Sequence, residues 1–575
     1  MSNSNNLKSP FIAEDAPSMA DVLNRLDAIP DLTNTQRRDL KSAIQSLCRI
    51  LGKPPECVVG NINWLHIRVR RIAPAAHNIS KKRLANIKSG VIKALALTAC
   101  SRERSDWLRP PSSSWQVLLD QIADKHDLWK LTQLSQYCSA LDIDPNAVTD
   151  DHVIGLQKTL IEETFMNKPD QVAVNAVKTW NRMREEVDSW PNIQLSRPPR
   201  KKHPWTIPLD QFPQSFQNDV TRWKLRLGNP DPLDMSGPKK PLRPITVKHR
   251  MHQIQQAASA AVLSKHLNVT DVQSLSSLIE LDTFKAILRY LMNRFEGKPT
   301  EAIHGLAVGL KSIAEHHVQV EPEHLKELNA ILGRINLNVD GLRIKNQQRL
   351  EQLEDRHNLA ALLHLPAKLT TLSKRGGLRA YKAALLIQAA LCVEILLYAP
   401  MRVGTLSRLH LERHIRFIGS GRKRITQITV PAEEVKNDRD LHYELGPETT
   451  KLLDHYIRDA RPVLMRQSSE YLFPAQNGDH KRVEHVSGLI KQTILEHTGM
   501  VINAHLFRSI AGKIHSMVAP GDFTTLSHVL HNTLQTAMRA YAQFEHKSSI
   551  RHYQNSVDKA RKNLISPNQN KKGKP

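Results

Sequence analysis

Cysteine is scarce and scattered in this chain. The five residues Cys48, Cys57, Cys100, Cys138 and Cys392 are odd in number, and no pair has CxxC spacing. That pattern excludes a disulfide scaffold and a cysteine-based zinc finger, and fits reduced thiols in a cytosolic protein. Aromatic residues make up only 5%, and all eight tryptophans fall between Trp64 and Trp223. The two ends of the chain therefore differ in composition. No charge-free apolar run reaches the roughly 18 residues of a membrane span, so no membrane partner is expected. The opening MSNSNNLKSPFIAEDAP lacks the basic-then-apolar order of a signal peptide. Acidic residues are also in deficit, 56 against 81 Lys plus Arg, giving a formal charge of +25. Such an excess favours a polyanionic partner, most often nucleic acid, over a merely solvated basic surface.

The length of 575 residues and 40% hydrophobic content allow several cores. Apolar periodicity predicts a helical N-terminal domain over 1–110. In TNTQRRDLKSAIQSLCRILG, Thr33 or Asn34 caps a helix with Leu40, Ile44, Leu47 and Leu51 on one face. RPPSSS then breaks the pattern, and a second helical domain covers 111–190. Residues 191–244 read as a basic, Pro-rich linker. Its runs SRPPRKKHPW, with Lys201 and Lys202, and SGPKKPLRP, with Lys239 and Lys240, are suited to follow a phosphate backbone. A third helical domain spans 245–345. Its helix TVKHRMHQIQQAASAAVL places Lys248 and Arg250 beside small residues and glutamines, as a helix lying in a DNA groove would. From 360 to 560 the pattern is mixed. A long apolar helix (379–399) precedes three short strands at 413–419, 424–430 and 440–445, and helices follow at 448–460, 484–498, 505–518 and 522–543. Residues 561–575 are expected to form a basic, disordered tail. EHHVQVEPEH (315–324) reads as a solvated segment rather than a metal site.

The chemistry-bearing residues converge late in the chain. Arg402 stands in LLYAPMRVGTLSRL, Lys436 in PAEEVKNDRD, His505 and Arg508 in HLFRS, and His531 and Tyr541 in VLHNTLQTAMRAYAQFE. A tyrosine can act as a nucleophile once relieved of its proton, and guanidinium groups neutralise charge on a phosphoryl transition state. His505 and Arg508, three apart, share one helical face. Lys436 has a rival in Lys423, one hairpin earlier.

This constellation resembles the tyrosine recombinases, or phage-type integrases. The resemblance covers 360–560 well, 245–345 in outline as a helical core-binding domain, and nothing in 1–235. Spacing within the family selects His531, ten residues before Tyr541, over His528, and Tyr541 over Tyr553. Two positions depart from the family pattern: Thr405 replaces an acidic residue, and Leu530 replaces the glycine before the histidine. The resemblance implies a mainly α, multidomain protein with a small antiparallel sheet in the catalytic domain and helical DNA-binding domains before it. It implies a site-specific enzyme that cleaves and rejoins double-stranded DNA through a 3′-phosphotyrosine, with no metal, cofactor or ATP. Arg402 and Arg508 would bind the phosphate and Lys436 would protonate the leaving oxygen. His505 would handle the tyrosine proton and His531 would hydrogen-bond the phosphate. The expected assembly is a homotetramer on two DNA sites in the bacterial cytoplasm. Residues 1–235, with basic runs such as Lys81–Arg83, would contact DNA, a neighbouring protomer or an accessory protein. A type IB topoisomerase-like enzyme and a non-catalytic DNA-binding protein of the same fold remain alternatives.

Overall fold

The structure, a computed structural model, describes residues 17–70, 72–101, 106–198, 205–231, 233, 241–337, 342–436 and 438–564; side chains are described except at 540–549, 551, 552 and 563. Lys201, Lys202, Lys239 and Lys240 lie outside the described residues. The chain divides into two compact units, one formed by 17–198 with 342–564 and the other by 205–337.

In the first unit the N-terminal helices form because caps and periodicity agree. Thr33 closes a capping box with Gln36, and Gly52, at φ 65°, ends helix Asn34–Leu51 in the left-handed conformation that glycine tolerates. Leu40, Ile44 and Leu47 meet Val91 and Leu95 of helix Lys81–Leu97. Phe165, from the following helical block, enters the same core. That second block buries Trp115, Trp180 and Trp190, with the indole N–H of Trp115 and Trp180 donating to the Ile143 and Ile193 carbonyls at 2.9 and 2.8 Å. All three are core residues, and Trp115 and Trp180 have their one polar atom satisfied, whereas the buried indole N–H of Trp190 has no hydrogen-bond partner.

The N-terminal helices also meet the catalytic region of the same unit. Lys81 pairs with Glu496 at 2.7 Å. Gly499, at φ 79°, lies so close to Ala76 that a Cβ there would approach its backbone to 2.7 Å. Lys81, in a run read from sequence as contacting DNA or a neighbouring protomer, pairs within the chain and stays largely exposed.

Helix Ala380–Tyr398 is the axis of the core of the C-terminal region. It is long and apolar enough to cross a membrane, yet Ala389, Ala390, Leu391, Cys392, Val393, Ile395 and Leu396 are fully buried in protein. Its Gln388 is also fully buried, donating to the Tyr456 hydroxyl at 2.8 Å and accepting from Lys481 at 2.6 Å. Beside it lies an antiparallel sheet of β1 (Ile415–Ile418), β2 (Ile425–Val430) and β3 (Leu441–Leu445), in that order. Burial alternates along β2 and β3 as a two-residue period requires, turning Thr426, Ile428, Val430, Leu441, Tyr443 and Leu445 inward. Ile428 faces Tyr443 in register.

The second unit departs from the expected linker over 191–244. Residues Gln214–Gly228 form a helix with Phe216, Val220, Trp223 and Leu227 buried in the core of this unit. The prolines bracket that helix rather than fill it. At the other end of the proposed linker, Leu195 packs in the tryptophan core of the first unit. His317, in the histidine-rich segment, stacks on Trp223 and bonds Asp219 at 2.9 Å, while His324 bonds the Ile279 carbonyl. A linker side chain would tolerate truncation. Trp223→Ala is instead expected to destabilise this unit by about 3–5 kcal/mol in urea titrations. A loss below about 1 kcal/mol would return the segment to linker status.

Candidate active site

The site is assembled around Arg508. It sits in the first turn of helix Phe507–Val518 and is 8% exposed. Its Nη1 donates to the Pro400 carbonyl at 3.0 Å, and its Nη2 donates to the Leu530 carbonyl at 2.7 Å and to Asn532 Oδ1 at 3.2 Å. One guanidinium therefore ties together the segment before Arg402 and the segment around His531. Arg402 follows the buried Ala399 and Met401 and is the N-cap residue of helix Val403–Ser407. Thr405, where an acid was expected, donates its backbone N–H to the Arg402 carbonyl.

The expected helix over 522–543 is broken at His531. Helix Phe523–Leu530 ends there, His531 takes φ 48°, ψ 48°, and Thr533 caps a new helix, Leu534–Asn563. The left-handed residue is the histidine itself rather than a glycine before it. Such a conformation costs a non-glycine residue on the order of 1 kcal/mol. It is held by Leu530, fully buried against Leu526 and Ala537, and by the Arg508 bond to the Leu530 carbonyl.

Tyr443 completes the floor, and sequence reasoning passed over it. Its ring meets His531 edge to face at 5.0 Å, and its hydroxyl donates to the Val529 carbonyl at 3.1 Å. Burial pushes this phenol up to about 12 despite the nearby Arg508 and Arg402 charges. Tyr443 is thus a neutral donor. Alternation in LHYEL, with Leu441 and Leu445 as inward neighbours, was the available signal. Asn532 was also missed, because nothing local marks it as a partner of a distant arginine.

His505 lies in the turn Ala504–Leu506 at the rim of the site. Partial withdrawal from water, then the charges of Arg508, Arg402 and Lys436, hold its imidazole below the usual range. Lys436, and not Lys423, is among the charges acting on it. Lys436 follows the buried Val435 in the connection between β2 and β3. His531 is lowered too, first by burial and then by the neighbouring His442, Arg508 and His528. The rival His528 is exposed on helix Phe523–Leu530. Tyr541 lies in helix Leu534–Asn563, and its side chain is outside the described residues. Tyr553, on the same helix, is 71% exposed. The structure thus brings Arg402, Lys436, His505, Arg508 and His531 around one place and puts Tyr541 on the helix that starts beside it.

Residues 371–546 match the model of the phage integrase family. The chain carries a tyrosine recombinase domain. Among solved structures it resembles XerH site-specific recombinase bound to difH substrate, at 14% identity over 58% of this chain and 95% of that one, with a TM-score of 0.35. A lambda integrase dimer bound to a COC′ core site matches at 14% identity over 68% and 90%, with a TM-score of 0.33. The integrase from mycobacterium phage Brujita matches at 16% over 58% and 92%, with a TM-score of 0.21. No curated protein matches the chain. The assignment to site-specific tyrosine recombinases rests on the family match.

Of the candidate DNA-contacting residues in the second unit, Lys248 is exposed on helix Pro244–Leu263. Arg250 is turned inward. Its Nη1 donates to Gln253 Oε1 at 2.9 Å and faces Gly309, where a Cβ would come within 2.7 Å of it. The guanidinium lies tightly against that glycine, which engages Arg250 within its own unit.

Two outcomes follow. Lysine cannot reproduce the fork of Arg508, so Arg508→Lys should lose about 1.5–3 kcal/mol of stability in urea. Asn532→Ala, which removes one acceptor, should lose about 1 kcal/mol. The second outcome concerns pH. An unfolded histidine titrates near 6.5 and folded His531 lies lower, so the unfolded state binds more protons between those values. Stability should be fully present above about pH 6.5 and decline as pH falls through the lowered value. His531→Gln should flatten that decline in melts from pH 7.5 to 5; an unchanged profile would contradict the assignment.

Proposed function

We propose that this recombinase cleaves and rejoins DNA through Tyr541. The observation that carries the reading is the placing of Arg508 and Arg402, with Lys436, against His505, beside the start of the helix that bears Tyr541. The Tyr541 oxygen attacks the scissile phosphorus while His505, kept neutral by its surroundings, takes the phenolic proton. The bond from phosphorus to the 5′ oxygen breaks, and Lys436 gives that oxygen a proton. The product is a 3′-phosphotyrosine and a free 5′ hydroxyl, and the reverse attack rejoins the strand. Arg402 and Arg508 neutralise the non-bridging oxygens, and His531 hydrogen-bonds one of them. Because the phosphoester energy stays in the covalent bond, the reaction calls for no ATP, and the guanidinium groups stand where other enzymes place a metal.

Double-stranded DNA carrying specific sites is the proposed partner, supported by the integrase domain and the excess of positive charge. Lys248 and the linker lysines Lys201, Lys202, Lys239 and Lys240 would add phosphate contacts. We propose four protomers on two sites, acting on DNA in the bacterial cytoplasm, with residues 1–235 adding assembly control or an accessory partner.

Tyr541→Phe should abolish the SDS-resistant, protease-sensitive adduct on a nicked suicide substrate and leave DNA binding within about threefold, roughly 0.7 kcal/mol. An adduct that persists would move the nucleophile elsewhere, with Tyr553 the next to test. Wild-type cleavage should be unchanged in EDTA; strict dependence on magnesium would sink the mechanism. Relaxation of plasmid supercoils without strand exchange would favour the topoisomerase-like alternative.

A further inference from the structure

Lys436 sits on a short connection, yet a general acid must be held to within a fraction of an ångström of its leaving group. What holds it is a cluster away from the phosphate-binding residues. The turn Ala432–Glu434 follows β2, and Val435 is buried in the catalytic core. On one side, the Ala432 N–H donates to Asp440 Oδ1 at 2.8 Å, fixing the width of the connection. On the other side Glu434 reaches across to the one-turn helix Leu411–His414. Arg413 Nη1 donates to Glu434 Oε1 at 3.0 Å. His414 Nε2 stands 3.3 Å from Glu434 Oε2.

The His414 ring is itself pinned. It is 2% exposed, and its Nδ1 accepts the His410 backbone N–H at 3.0 Å. With Nδ1 accepting, the ring proton of neutral His414 is on Nε2, the ring atom nearest Glu434. That Nε2 is buried and has no well-aligned hydrogen-bond partner. The Glu434 carboxylate is the acidic group standing beside it, 3.3 Å away. His410 is fixed in turn, its Nε2 meeting Glu470 at 2.9 Å and its Nδ1 accepting the N–H groups of Glu412 and Arg413. The side chain two residues before Lys436 is thus hydrogen-bonded by Arg413 and seated against the buried His414, and the residue directly before it is plugged into the core.

We propose that Glu434, clamped by Arg413 and His414, is the positioning residue for Lys436: it sets where the ammonium stands at the leaving 5′ oxygen and takes no part in the chemistry itself. The inference rests on the reading of Lys436 as the general acid.

A substrate that needs no proton on its leaving group separates positioning from folding. A suicide duplex with a bridging sulfur in place of the 5′ oxygen at the cleavage site releases a thiolate, which leaves without general acid help. On the ordinary oxygen substrate, Glu434→Ala should slow covalent adduct formation by roughly 10- to 100-fold, a part of the range typical for general acid catalysis. On the sulfur substrate the same variant should come within about threefold of wild type, as should Lys436→Ala. Arg413→Ala, at a largely exposed residue whose loss leaves the core intact, should show a smaller defect with the same rescue. Glu434→Ala equally slow on both substrates, with Arg413→Ala unrescued as well, would make the cluster merely structural and overturn the proposal. No defect on the oxygen substrate would overturn it too. If Lys436→Ala itself is not rescued by sulfur, the assignment of the general acid fails and this inference fails with it; if Lys436→Ala is rescued and Glu434→Ala is not, only the positioning role falls.

Discussion

The catalytic region depends on one buried cation. A guanidinium withdrawn from water is tolerable only when its donors are satisfied, and Arg508 satisfies three of them with the Pro400 and Leu530 carbonyls and the Asn532 side chain. Those acceptors come from two distant segments, each carrying a residue of the proposed site. The solvation of Arg508 and the placing of Arg402 and His531 are therefore one requirement. With five N–H donors on a guanidinium, three committed to protein leave two for an incoming phosphate oxygen. The residue can hold the fold and still have donors to offer.

A second constraint follows from charge. Arg402, Lys436 and Arg508 crowd one place, and each disfavours further protonation of His505. Burial first, and then these charges, depress His505, and the lowered histidines serve the proposed chemistry. A neutral imidazole can accept a proton from a phenol, whereas an imidazolium cannot. Desolvation acts in the same direction at His531, where Tyr443 covers one edge of the ring.

Much of this was legible in the sequence, and the failures have physical causes. The three strands were readable because alternation is local: Ile428, Val430, Leu441 and Leu445 announce their inner face by spacing alone. The expected helix over 505–518 begins only at Phe507, so Arg508 lies on it while His505 falls in the turn Ala504–Leu506, a boundary that local spacing does not show. The break at His531 was not readable, since the residue that adopts the left-handed conformation is a histidine, and what holds it there is an arginine bond from another segment. Helix Gln214–Gly228 was hidden by its proline-rich surroundings, although Phe216, Val220, Trp223 and Leu227 already had helical spacing. Arg250 looked like a groove contact because composition cannot tell whether a basic side chain meets solvent or a glycine on a neighbouring helix. Tyr541 is marked in the sequence by its ten-residue spacing from His531.

The chemical type of the partners around Arg508 also bears on function. A carboxylate would satisfy its donors equally well, but it would cancel the charge that a phosphate is meant to meet. Carbonyl and amide oxygens satisfy N–H groups and leave the net charge in place. At an effective dielectric of about 20, a unit charge about 4 Å away is worth on the order of 4 kcal/mol, so one carboxylate at this position would remove much of the attraction. The structure is consistent in this respect. The charged groups acting on His505 are all cations, those acting on His531 are an arginine and histidines, and the position where an acid was expected near Arg402 is Thr405. The carboxylates that do brace the region, Glu434 and Asp440, sit behind the connection that carries Lys436, paired with Arg413 and with a backbone N–H. Acidic groups hold the frame, neutral oxygens hold the arginine, and the positive field is left for the proposed phosphate substrate.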